Sequence, residues 1–281
     1  QLAVKAAAAV AEYPALEEDA AEEAWNEYNG SAFEPSLRVD AELNDSPVRL
    51  VDARYLVELA RVGGTLVRRQ DLPEAAFLSL EAIKRLPKGG NYGDCLRIIS
   101  VSHPWQHPDH PDPKGINLKL LARVLEFFIE DGGGTYAVFL DFVSLHQKGP
   151  NGEARSPAHA ALFSRSLQTM MVWYSHYKAL TLKLTALPPG YPDGFPFPAG
   201  ITPNTASYFD RGWCFCESSV TNLTKDFDYV LDLGQFSGTK TYLGEIVEEC
   251  AAGRAAPLTP ATFRIKLAAK AFTSKKADEE M

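Results

Sequence analysis

An α/β protein, with a parallel sheet covered by helices on both faces, is the fold class this sequence predicts. Three observations carry it. Between residues 96 and 233 short apolar runs alternate with longer amphipathic stretches in the order strand, helix, strand, helix, strand, helix, strand. The runs are rich in Ile, Val, Leu, Phe and Tyr, whereas the stretches between them repeat their apolar residues at helical spacing. Glycine, proline or aspartate stands at most of the junctions. Parallel neighbours cannot be joined by a tight turn, so a helix crosses over between them and both faces become covered.

In chain order, residues 1–46 are rich in Ala and Glu, with Trp25, Tyr28 and Phe33 interspersed. They read as a helical arm that packs its aromatics on something else. Leu50, Ala53, Leu56, Leu59 and Ala60 recur at helical spacing up to Gly63-Gly64, which predicts a helix from Leu50. Asp71 ahead of Pro73 reads as a capped helix start. That helix is expected to run through Leu80 and Ile83 to Leu86-Pro87, with Lys88-Gly89-Gly90-Asn91 as a break. Residues 96–101 form the first strand. Leu118, Leu121, Val124, Leu125 and Phe128 share one side of a helix over 115–130, which Gly132-Gly133-Gly134 stops. Residues 136–140 are the second strand, ending at Asp141. A helix over 157–174, a third strand over 177–185, a Pro/Gly loop over about 187–207, a helix start at Asp210 and a fourth strand over 229–233 complete the pattern. The expected division is a helical N-terminal region over 1–92, a sheet domain over 93–238 and a helical extension over 239–281.

Composition narrows the function classes. The 281 residues are 46% hydrophobic and 23% charged, which excludes a mainly disordered chain. No run approaches the ~18 apolar residues of a membrane-spanning helix. With 28 basic against 36 acidic residues the net charge is −8, so the basic footprint of a general nucleic-acid binder is missing. Eleven carboxylates and three bases fall within residues 1–50, so the acidity belongs to the arm and the remainder is neutral. Four cysteines are too few for a disulfide scaffold, and Cys214 and Cys216 lie too close to bridge each other comfortably. A reducing, cytoplasmic setting is expected. The interior of an organelle is the alternative if a transit peptide preceded Gln1.

Ligands of open parallel sheets bind beyond the carboxyl ends of the strands. Here those ends run into Ser102-His103-Pro104-Trp105 and into Asp141 with Ser144-Leu145-His146-Gln147. The last helix opens with Asp210-Arg211-Gly212-Trp213-Cys214-Phe215-Cys216-Glu217, where Trp213 and Glu217, four apart, share a helical face. Trp213-Cys214-Phe215-Cys216-Glu217 resembles the Trp-Cys-x-x-Glu segment of Toll/interleukin-1 receptor (TIR) domains. With Arg211-Gly212 it is similar to the Arg-x-Trp-x-x-x-Glu segment of fungal heterokaryon-incompatibility domains, a TIR-like family. The stretches 99–105 and 139–147 resemble the first- and second-strand motifs of that branch.

The resemblance covers about half the chain and implies a flavodoxin-like doubly wound parallel sheet. Many TIR domains cleave the nicotinamide–ribose bond of NAD, and their essential glutamate corresponds to Glu217. The implied activity is therefore NAD(+) glycohydrolase or cyclase chemistry in signalling or cell-death control, with NAD as substrate and no resident cofactor. Ser102, Trp105, Asp141, Ser144 and Trp213 are the expected substrate contacts. Nicotinamide leaves as a neutral base and needs no general acid, so one carboxylate facing an oxocarbenium-like transition state suffices. The rival is a non-catalytic interaction module or accessory subunit, which associates with itself or with a protein partner through this domain and the acidic arm.

Each residue also has a plainer reading. Glu217 can pair with Arg211, Trp213 can be core, and Asp141 can cap a loop. Cys214 and Cys216 read as small buried residues. His103, His107 and His110 have spacing that suits zinc, but the prolines among them extend the loop, and no metal site is expected.

Overall fold

The computed structural model describes residues 16–88, 94–150, 152–195, 197 and 199–272. The Ala-rich first fifteen residues, the break at 89–91 and the basic Lys275-Lys276 lie outside them. Along the chain, α1 (Glu18–Glu27) and the short α2 (Glu34–Leu37) precede β1 (Leu50–Asp52) and α3 (Ala53–Arg61). Next come β2 (Phe77–Leu78), α4 (Leu80–Lys84), β3 (Ile98–Ser102), α5 (Ile116–Gly132), β4 (Ala137–Phe139) and the single turn α6 (Asp141–Ser144). The chain continues through α7 (Pro157–Ser175), β5 (Leu180–Lys183), α8 (Gly212–Thr224), β6 (Val230–Asp232), α9 (Leu243–Cys250) and α10 (Pro260–Ala268).

The six strands form one sheet in the order β2-β1-β4-β3-β5-β6. The four strands foreseen in the sequence are its parallel part: β3 pairs with β4 and β5, and β5 with β6. β1 and β2 extend the sheet antiparallel beside β4. This mostly parallel, helix-covered sheet is consistent with a flavodoxin-like α/β fold. No described helix is long and apolar enough to cross a membrane.

Side chains alternate across a strand, so β3 serves both layers. Ile99 and Val101 enter a core with Leu56, Leu121, Leu125, Phe128 and Ile246, from α3, α5 and α9. Ile98 enters the opposite core with Trp25, Phe33, Phe139 and Trp173. There the Trp173 indole is stacked between Phe33 and Phe139, with ring centroids 4.7 and 4.9 Å away. Helix α5 buries the five predicted residues on one side and stops where Gly133 takes φ 59°. Ser156 caps α7 by accepting the amide of His159 at 3.2 Å, with Pro157 in the first turn.

Two N-terminal expectations are corrected. Leu50 lies in β1, and the helix starts only at Ala53, because the Asp52 side chain caps the amide of Arg54 at 2.9 Å. The predicted helix from Asp71 is broken. Asp71 closes a 3-10 turn, Phe77 and Leu78 pair with β1, and a short helix begins at Leu80 behind the cap Ser79. The N-terminal region therefore supplies strands to the same sheet. The aromatics of the arm pack on the chain itself: Trp25 and Phe33 are buried, and the Trp25 indole N–H donates to Glu34 at 3.0 Å.

Candidate functional site

The alternation that sends Ile99 and Val101 to one face sends Ser102, the last residue of β3, to the other, beneath α8. The Ser102 hydroxyl donates to Glu217 Oε2 at 2.5 Å. The Tyr208 hydroxyl lies 2.6 Å from the same Ser102 oxygen. Serine has one proton and gives it to the carboxylate, so Tyr208 donates to Ser102 and the three groups form a directed chain. Glu217 is only 7% exposed. Burial pushes its carboxyl up to about 7, the charge of Asp141 adds to the rise, and the Ser102 hydrogen bond opposes it.

Arg211 is not the counterion of Glu217. Its guanidinium donates to the backbone carbonyls of Trp105 at 2.8 Å, Ala206 at 3.0 Å and Asn204. It thereby ties the β3 turn and the long loop to the start of α8. Among the described residues no ion pair engages Glu217.

Asp141 sits where β4 ends, and its carboxylate takes three hydrogen bonds. His103 Nε2 lies 3.0 Å from Oδ1, the Trp105 indole N–H donates to Oδ2 at 2.8 Å, and the Phe142 amide donates to Oδ1 at 2.6 Å. Burial disfavours a charged His103, but the charge and hydrogen bond of Asp141 outweigh it, so the His103 pKa is raised. Asp141 thus fastens the turn after β3 to the end of β4. The other two loop histidines are occupied: His107 accepts the amide of Asp109 at 3.1 Å, and His110 Nε2 meets the carbonyl of Leu66 at 2.9 Å. No group of metal-ligating side chains forms among the described residues.

A cavity of about 430 Å³ opens at these strand ends, and Glu217, Asp141, His103, Trp105, Trp213 and Phe272 contribute to its walls. Four of the six sequence-predicted site residues therefore share one cavity. Ser102 and Ser144 stand behind it. Ser102 reaches the cavity through Glu217, and Ser144 is fully buried, with its hydroxyl capping the amide of Leu140 at 3.1 Å. A larger space of about 880 Å³ lies by Leu37, Arg49 and His159 and contains none of the predicted residues. The chemistry-bearing side chains converge on the smaller one.

Sequence reasoning missed the role of His103 beside Asp141 and the closure of the site by the C-terminal segment. Gly212 donates to the carbonyl of Ala271 at 2.9 Å, Ala271 donates to that of Asp210 at 2.8 Å, and Phe272 covers Gly212. A Cβ built on Gly212 would stand 2.1 Å from the Phe272 ring. Gly212→Ala is therefore expected to displace Phe272 and cost about 1–3 kcal/mol, read by chemical denaturation. An unchanged stability would show that Phe272 is not held there. The one local signal was a glycine directly before the Trp-Cys-x-Cys-Glu helix.

The cysteines carry no nucleophile. Burial raises Cys214 well above the ordinary thiol range and pushes Cys216 up to about 11, so neither is a thiolate at neutral pH. Compared with family models, curated proteins and solved structures, the chain finds no match.

Proposed function

We propose that the protein cleaves the N-glycosidic bond between nicotinamide and ribose in NAD, with Glu217 as the catalytic residue. The observation that carries the reading is a buried carboxylate on the wall of a cavity flanked by two indoles, at the strand ends where α/β sheets bind ligands. In the reaction the C1′–N1 bond breaks and its electron pair stays on nicotinamide, which leaves neutral. Positive charge develops on the ribose, and the Glu217 carboxylate stabilises it in surroundings poor in water. Water then bonds to C1′ and releases a proton, giving ADP-ribose. The roles of the remaining residues follow. Ser102 and Tyr208 are positioning residues that hold Glu217 in one orientation, and Trp105 and Trp213 offer aromatic faces to the base. His103 and Trp105 orient Asp141.

The test is to incubate the purified chain with NAD and follow free nicotinamide, at low and at high protein concentration. Release that rises with protein is the expected result. No release at any concentration would sink the reading in favour of a non-catalytic interaction module.

A further inference from the structure

One wall of the cavity has no part in the chemistry at C1′. The segment after α6 runs alongside it, and two arginines from different parts of the chain are fixed to this segment. Arg155 Nε donates to the carbonyl of His146 at 2.7 Å, and Arg68 donates to that of Lys148 at 3.1 Å. The two carbonyls belong to residues two apart, whose α-carbons lie within about 7 Å of each other whatever the backbone does. Arg155 and Arg68 both line the cavity, as does the exposed Lys148.

The bases on this wall are unevenly paired. Arg155 lies over the Phe163 ring, 3.5 Å from its centroid, and no carboxylate pairs with it among the described residues. Burial alone lowers its pKa, with no acid offsetting the loss of water. Among the described residues Arg68 pairs with one acid, Asp71 at 2.6 Å, which is 42% exposed. Asp109, a further carboxylate lining the cavity, lies 3.8 Å from the His107 ring, and the exposed Glu153 carboxylate lies against Gly149 of the same segment. A half-buried guanidinium without a counterion is unfavourable unless an anion arrives. Forked guanidiniums match phosphate oxygens better than any other side chain.

We propose that Arg155, Arg68 and Lys148 form an anion subsite that takes the diphosphate of a nucleotide ligand lying in the cavity. Assigning the riboside end of that ligand to Glu217 rests on the glycohydrolase reading; the anion site itself does not. Arg68 lies outside the TIR-like stretch, so the N-terminal region completes the site as well as the sheet.

The experiment is calorimetric titration of the full chain with inorganic pyrophosphate, in parallel with nicotinamide release from NAD. The parent is expected to bind pyrophosphate, and more weakly as salt rises. Arg155→Met keeps the apolar contact with Phe163 and should weaken binding tenfold or more. Arg155→Lys should lose less, and Arg68→Met should weaken binding independently, which guards against an Arg155 variant that fails to fold. Thermal melting checks each variant. No pyrophosphate binding by the parent, or parental affinity in folded Arg155→Met and Arg68→Met, overturns the subsite. The two readings fail separately. Pyrophosphate binding without nicotinamide release defeats the glycohydrolase and keeps the subsite. Release with an unchanged KM for NAD in both arginine variants defeats the subsite and keeps the glycohydrolase.

Discussion

Glu217→Gln should abolish nearly all nicotinamide release while the chain stays folded. The amide keeps the shape of the side chain and can still accept the Ser102 hydroxyl, which donates to Oε2 in the parent. What it loses is charge, at the place where the proposed transition state becomes positive. Removing one preorganised electrostatic group costs about 10²–10³ in rate, or about 3–4 kcal/mol. The pH dependence adds a second signature. Burial holds the Glu217 carboxyl at about 7, and only the carboxylate stabilises a cation, so activity should rise with pH through a limb near neutrality. The residual activity of Glu217→Gln should lack that limb. Cys214→Ala and Cys216→Ala should change the rate far less, since burial keeps both thiols protonated. Full activity in Glu217→Gln would end the mechanism.

The same substitution should make the protein more resistant to alkaline pH. A carboxyl raised from 4.5 to about 7 by burial favours the folded state fully below pH 4.5, and that contribution fades as pH rises through 7. The shift corresponds to about 3 kcal/mol lost by pH 8, an upper figure for a single group. In Glu217→Gln nothing titrates at this position, so its stability relative to the parent should climb between pH 5 and pH 8. Chemical denaturation of both proteins across that range measures the difference. Two parallel curves would mean that water reaches the carboxylate freely, and a preorganised, desolvated charge could then not be invoked for catalysis. A protein that keeps such a group at the expense of its own stability follows the pattern of functional sites, where burial is used to tune a pKa.

The parallel half of the sheet was legible because its strands are both short and apolar, and its helices carry their own stops. Strands β4, β5 and β6 fall inside the predicted runs, β3 overruns its own by one residue, Ser102, and α5 and α7 end within two residues of the predicted positions. Such features are set by neighbours in the chain: side-chain period, a capping serine at 156, a left-handed glycine at 133. The N-terminal part was not legible for the opposite reason. Leu50-Val51 is apolar enough for a helix or a strand, and only the free edge of β4, 87 residues away, makes it a strand. Phe77-Leu78 in turn pairs because β1 is there. The arm looked free to dock elsewhere, yet Phe33 stacks on Trp173, 140 residues further on.

By itself the sequence determined the fold class and singled out Glu217, Trp213, Trp105 and Asp141, four residues that line one cavity at the strand ends. Tertiary structure decided what each of them touches. It put Ser102 and Ser144 behind the cavity wall, gave Arg211 to backbone carbonyls rather than to Glu217, and laid Phe272 over Gly212. It also brought Arg68 to the same wall as Arg155. The physical reason is range. Helical and strand periods are written in residues three, four or two apart, whereas the charge state of a buried carboxyl depends on how much water the whole fold removes and on which dipoles the fold returns.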